Sequence, residues 1–144
     1  MKRKTFNELD IRELYAICKL RQDVFIVEQN SIYNDLDGLD QTSVHFLDIN
    51  DNEEIIGYAR YREVGKEHFK LERVVLREDS RGGGRGKTII EQMLTDIRLT
   101  TPSAKITLSA QTNALKFYHS LGFQAVGGPY DDGGIEHITM TLKG

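Results

Sequence analysis

The apolar run Val74-Val75-Leu76 is followed by four polar residues and then by Arg81-Gly82-Gly83-Gly84-Arg85-Gly86-Lys87-Thr88, an order that reads as strand, glycine turn and helix start. The helix is read from the stripe Ile89, Ile90, Met93, Leu94 and Ile97, which recurs at three- and four-residue steps and stops before Pro102. Such a junction aims unpaired backbone N–H groups and the positive end of the helix dipole at one spot, which suits a phosphate or pyrophosphate. Glycine serves there because a Cβ would hinder positive φ and hold a ligand off the backbone.

Working outward, Asp10 and Glu13 form a capping-box pattern ahead of Leu14, Ile17, Cys18, Arg21, Val24 and Phe25, predicting one amphipathic helix over about residues 10–25. The stretch Asp35-Leu36-Asp37-Gly38-Leu39-Asp40 reads as an irregular loop. Alternation over 44–49 and 55–61 around Asn50-Asp51-Asn52 predicts a hairpin, and a turn at Gly65-Lys66 leads to a third strand over 69–76. Period-two geometry in that strand places Leu71, Arg73 and Val75 on one face and Glu72, Val74 and Leu76 on the other, so a central position is expected. A strand over 106–110, a helix over 114–121 stopped by Gly122, and strands over 123–126 and 135–142 complete the chain. The fold class is therefore α+β, or mixed α/β.

With 144 residues, no repeat and only two prolines, the chain is expected to be a single domain over 1–144. Its formal charge of −3 and lack of a basic tract argue against a nucleic-acid partner. The single cysteine, Cys18, excludes an intrachain disulfide or a cysteine metal cluster, and no metal is expected. The basic start Met1-Lys2-Arg3-Lys4 has no apolar stretch behind it, so a cytoplasmic protein with no membrane partner is expected.

Two other phosphate cradles fit the positions poorly, a P-loop nucleotide hydrolase being the third reading of this turn. A nucleotide P-loop would place its first glycine at residue 81, which is Arg81, and the dinucleotide pattern would place its third at residue 87, which is Lys87. A calcium loop counted from Asp35 needs Gly and Glu where Asp40 and Phe46 stand.

The pattern Arg81-x-x-Gly84-x-Gly86, with Asn113-Ala114-Leu115-Lys116-Phe117-Tyr118-His119-Ser120-Leu121-Gly122-Phe123 downstream, resembles the GNAT superfamily of N-acetyltransferases. Phe25 to Asn30, Asp35 to Asp40 and Tyr130 to His137 are similar to its ElaA-like bacterial subgroup, although Gly133-Gly134 carries one more small residue than expected in that hairpin. The resemblance implies a mostly antiparallel sheet of six to seven strands flanked by helices, with a splayed strand pair holding acetyl-CoA as acyl donor. It implies an acetyl-CoA-dependent N-acetyltransferase that modifies a small-molecule or peptide amine by direct attack. A non-catalytic acyl-CoA sensor or interaction module is the alternative, and a homodimer is possible.

On that resemblance the backbone of Val74, Val75 and Leu76 would pair with the pantetheine arm. The N–H groups of Gly82, Gly83, Gly84, Arg85 and Gly86 would take the pyrophosphate, with Arg81 or Arg85 adding charge. Asn113 would bond the pantetheine or cap its helix. Tyr118 would be the general acid, or else a core aromatic beside Phe117. Glu72 would be the base, or else part of an ion pair, and His45, His137 or a water are the other candidates for the base. Glu28, Asp35, Asp37 and Asp40 could select a cationic amine.

Overall fold

In the computed structural model, which describes residues 1–142, seven strands form one sheet in the order β1-β2-β3-β4-β5-β7-β6. They are β1 Lys2–Thr5, β2 Val44–Ile49, β3 Ile55–Gly65, β4 His68–Leu76, β5 Lys105–Gln111, β6 Phe123–Asp132 and β7 Ile135–Leu142. Only β4 and β5 run parallel. The helices are α1 Ile11–Arg21, α2 Arg85–Thr100 and α3 Leu115–Ser120. This is the mixed, mostly antiparallel architecture expected, with β1 added. That strand has no apolar alternation, and backbone pairing to Val44–Leu47 is what orders it.

The two sheet faces bury separate cores. Ile89, Ile90, Met93 and Ile97 of α2 pack on Phe46, Ala59, Tyr61, Leu71, Leu108 and Met140, while Ile17 and Leu20 of α1 pack on Leu47, Tyr58 and Val75. The capping box starts α1 as read: Asp10 Oδ1 accepts from Glu13 N at 2.7 Å, and Glu13 Oε1 accepts from Asp10 N at 3.0 Å. The single helix over 10–25 is corrected. The chain leaves α1 as a π-helical stretch, Gln22–Glu28, in which Gln29 N donates to Val24 O five residues back at 3.1 Å.

The predicted face assignment of β4 also changes. Tyr58 pairs with Val75 and Arg60 with Glu72, so Arg73 and Val74 together oppose Ala59 in a β-bulge, with Arg73 at φ +56°. One extra residue inverts the alternation. Leu71 and Leu76 share the α2 face, and Glu72 and Val75 share the α1 face, so Glu72 does not lie on the face of Val74 and Leu76. Beyond the bulge β4 parts from β5: pairing runs from His68↔Lys105 to Leu71↔Leu108 and stops.

The final turn is tighter than predicted. The β6–β7 register shifts between Val126 and Tyr130, resumes at Tyr130↔His137, and closes through Gly133-Gly134, both at positive φ as a two-residue hairpin turn requires. A side chain at Gly133 would also meet the Tyr33 ring at 3.1 Å.

Candidate active site

Where β4 and β5 separate, a cleft of about 990 Å³ opens, bounded by the π-helical stretch, the glycine turn, α3 and the tip of the last hairpin. A parallel pair that stops pairing mid-strand leaves main-chain donors and acceptors along the inner edges of both strands. Val74, Val75 and Leu76 line one side of the opening, and Leu108, Ser109 and Gln111 the other.

The glycine turn closes the narrow end. Gly82 and Gly84 have φ +86° and +79°, and a Cβ at either would meet no atom within 4 Å. Both line the cleft, so these glycines are required by backbone conformation and by approach to the open space. Gly84 is the N-cap of α2 and supplies no side-chain cap, so the first-turn N–H groups face the cleft without a side-chain partner. A Cβ at Gly86 would meet Phe117 Cζ at 3.4 Å, so the start of α2 lies close against α3.

Arg81 and Arg85 both reach carboxylates instead of standing free. Arg81 forms a two-pronged pair with Glu28, Nη1–Oε2 at 2.8 Å and Nη2–Oε1 at 3.0 Å, and also donates to Leu76 O. Arg85 Nη1 donates to both oxygens of Asp48 at 3.0–3.1 Å. Lys87 lines the cleft and, among the described residues, has no carboxylate within 4 Å.

Tyr118 lines the cleft from α3, its ring edge-on to Phe117 at 5.0 Å and Phe123 at 6.1 Å. Burial pushes its phenol up to about 12, so it is protonated at neutral pH. Asn113 lies in a turn of 3₁₀ helix, Thr112–Ala114, ahead of α3 and makes no capping bond, which removes the capping alternative.

Glu72 lines the cleft too, but its carboxylate is held by Arg62 Nε at 2.6 Å and Arg60 Nη2 at 3.2 Å. Burial works against its charge, yet the hydrogen bond from Arg62 and the nearby Arg60 hold it below the usual carboxylate range. That makes a weak proton acceptor. His45 is buried outside the cleft, with Nδ1 on Tyr58 Oη at 2.5 Å and Nε2 on Asp40 O at 2.9 Å, and neither nitrogen is open. His137 lines the cleft with Nδ1 on Ile135 O at 2.8 Å, which leaves Nε2 facing outward from that bond.

The acidic loop does not present free charge. Asp35 and Asp40 take Arg21 at 2.8 and 2.7 Å; Asp37 and Asp40 take Arg60, each at 2.7 Å. Arg73 Nε lies 2.8 Å from Asp35 Oδ1 without hydrogen-bond alignment, and its Nη2 reaches Asp37 Oδ2 at 3.2 Å. Burial opposes ionisation of Asp37 and Asp40, but the guanidinium hydrogen bonds outweigh it and keep both well below the ordinary range. Selection of a cationic amine by these three aspartates is therefore corrected: their charge is spent on arginines. Sequence reasoning missed those arginines and also Ser31, whose hydroxyl donates to Gly133 O and ties the hairpin tip across the cleft to the loop after the π-helical stretch. Nothing in local spacing signals a contact across 102 residues.

These features define a mixed-sheet acyltransferase fold with an opened β4–β5 pair, and comparison with known proteins agrees. A model described as an acetyltransferase (GNAT) domain matches residues 14–143, and the chain belongs to that family. Within it the chain groups with ElaA. Protein ElaA of Escherichia coli (strain K12) is 36% identical over 141 residues, covering 95% of this chain and 92% of the relative. The crystal structure of Escherichia coli ElaA matches with TM-score 0.91 at 33% identity, over 99% of this chain and 98% of that one. An acyl-CoA N-acyltransferase from Pseudomonas aeruginosa matches with TM-score 0.90 at 30% identity, over 99% and 98%. Acyl transfer is thus the general activity class. Among the described residues no helix is long and apolar enough to cross a membrane.

Proposed function

We propose that residues 1–144 form one acetyl-CoA-dependent N-acetyltransferase domain that acetylates the amine of a small molecule or peptide by direct attack. The observation that carries this reading is the open β4–β5 edge ending at a cradle of main-chain N–H groups, with a protonated phenol beside it. The residues fit the donor: Cβ atoms at Gly82 and Gly84 would project into unfilled space, where a pyrophosphate needs room.

Acetyl-CoA, when bound, supplies the activated thioester. The edge of Val74, Val75 and Leu76 hydrogen-bonds the pantetheine amides as an added strand would, and Asn113 contributes from the opposite wall. The N–H groups of Gly82 to Gly86 hold the pyrophosphate, and Lys87 adds the cation that Arg81 and Arg85, tied to Glu28 and Asp48, share only in part. Holding donor and amine together replaces a bimolecular encounter with a pre-aligned one. As the amine nitrogen bonds to the acyl carbon and the C–S bond breaks, Tyr118 Oη gives its proton to the departing sulfur, and solvent reprotonates the phenolate. The surplus amine proton goes to His137 Nε2, directly or through water. Glu72, ionised but held by two arginines, positions the strand opposite Ser109 and is not the acceptor of that proton.

Calorimetry with CoA, together with a CoA-release assay over an amine panel, tests the reading. Binding in the micromolar range and turnover with at least one amine are expected. No heat at millimolar CoA removes the proposal.

A further inference from the structure

The α1 face of β5, β7 and β6 carries no helix, and its side chains form rows that run from the mouth of the cleft across the sheet. Alternate residues share a face, so Glu72 and Ser109 stand in the first row, Lys70 and Thr107 in the second, and His68 and Lys105 in the third. At the cleft end of these rows Ser31, Tyr33 and Asn34 line the opening together with His137, on which Tyr130 is stacked at 6.3 Å with its hydroxyl on Ser109 Oγ. The Ser31–Gly133 bond joins the loop to the hairpin tip across the cleft.

Charge along these rows is uneven. Glu72 is already satisfied by Arg60 and Arg62, and Lys70 lies 3.8 Å from it. Among the described residues no carboxylate comes within 4 Å of His68 or Lys105. His68 Nε2 bonds Thr107 Oγ1 at 2.8 Å, and burial, then the charges of Lys105 and Lys70, lower the pKa of its ring. A local excess of cations on a chain with formal charge −3 marks a place where an anion is stabilised.

Resting on the acetyltransferase reading, we propose that the acceptor is an amine that also carries a carboxylate or phosphate, seated on Lys70, His68 and Lys105 while its nitrogen lies at the Glu72–Ser109 row. Two to four residues along a strand, at roughly 3.3 Å each, separate the two groups by about 7–13 Å. An amine bearing a second cation is rejected by the same groove, as is a bulky apolar one, because the floor is built from Thr107, Ser109 and charged neighbours.

The test uses the full chain with acetyl-CoA and matched ω-amino acceptors of increasing length that end in carboxylate, phosphate, neutral amide or ammonium. CoA release is the readout. A kcat/KM for the carboxylate or phosphate at least tenfold above that for the amide of the same length is expected, with a length optimum. The ratio is expected to fall to near one in the Lys70→Gln/Lys105→Gln variant, whose thermal midpoint and CoA affinity are measured as folding controls. Whichever of carboxylate and phosphate gives the larger ratio names the anion. Equal rates across all end groups, or a preference that survives the double substitution, overturns the inference and leaves the acetyltransferase reading standing. If no amine releases CoA, that reading fails instead. Calorimetry with the N-acetylated ω-amino carboxylate against its amide then decides the groove on its own: binding lost in the double variant sustains it, and no difference overturns it.

Discussion

Replacing Tyr118 by Phe separates chemistry from packing. The hydroxyl has no hydrogen-bond partner among the described residues, while the ring makes edge-on contacts with Phe117 and Phe123 that phenylalanine keeps. Removing a half-buried hydroxyl without a partner changes stability by about 0.5 kcal/mol or less, and the thermal midpoint moves by no more than about 3 °C. The rate behaves differently. Loss of a positioned general acid lowers turnover by roughly 10²–10⁴-fold. A phenol raised to about 12 is a weak acid toward a thiolate whose conjugate thiol lies near roughly 8.5, which places the effect at the lower end, about 10²–10³-fold or ~3–4 kcal/mol of barrier. Steady-state CoA release and calorimetric CoA affinity are the assays, with kcat falling and Kd within about twofold. The phenol stays protonated to pH 10, so this residue adds no alkaline fall in kcat below that pH. A variant that turns over within threefold of the parent, or one that loses stability with its rate intact, refutes the argument and makes Tyr118 a packing residue.

Asp40→Asn takes away the carboxylate shared by Arg21 and Arg60, both almost wholly buried, and such a loss costs about 3–5 kcal/mol, a fall of on the order of 10 °C in a thermal scan; a drop under 3 °C contradicts it. Stability is expected to be highest near neutral pH and to fall in two steps on acidification. Burial lowers the pKa of His45, so the unfolded chain binds its proton first and stability declines as pH drops through about 6.5. The depressed carboxyls Asp37, Asp40 and Glu72 stabilise above their unfolded values and lose that contribution below about pH 4. Urea midpoints between pH 3 and 8 check this; His68, whose pKa is lowered too, adds to the upper step, so a His45→Gln/His68→Gln variant that keeps that step refutes the assignment. Gly84→Ala places a side chain at φ +79° and costs about 1–2 kcal/mol while weakening CoA binding, whereas Gly83→Ala, with ordinary φ and open space, is nearly silent in both urea unfolding and calorimetry.

Much of this arrangement was legible where physics is local. Asp10 and Glu13 announced the start of α1, Gly122 at φ +98° ended α3, and the glycine turn marked the N-terminus of α2 because each depends on neighbours a few residues away. The bulge was not, because Arg73 is an ordinary strand residue in sequence and takes φ +56° only where Asp35, Asp37 and the Tyr33 ring hold its guanidinium. The acidic loop looked like free charge for the same reason: Arg21 and Arg60 meet it only after folding. The same limit applied to the site. Side chains for Glu72 and His45 could be named as candidate bases, but not the arginines, phenol and carbonyl that occupy them.

The bulge in β4 gives residue count a meaning beyond length. One additional residue lets Leu71 and Leu76 serve the same core, so deleting Arg73 would leave Glu72, Val74 and Val75 opposite Arg60, Ala59 and Tyr58 in a regular ladder, with Val75 still toward α1 and Leu76 still toward α2. Both helices would keep their surface, and the strand would regain the regular pleat that keeps it beside β5. The extra residue therefore serves the cleft and not the cores: a sequence that lost it would keep both helices packed and close the gap in which β4 stands away from β5.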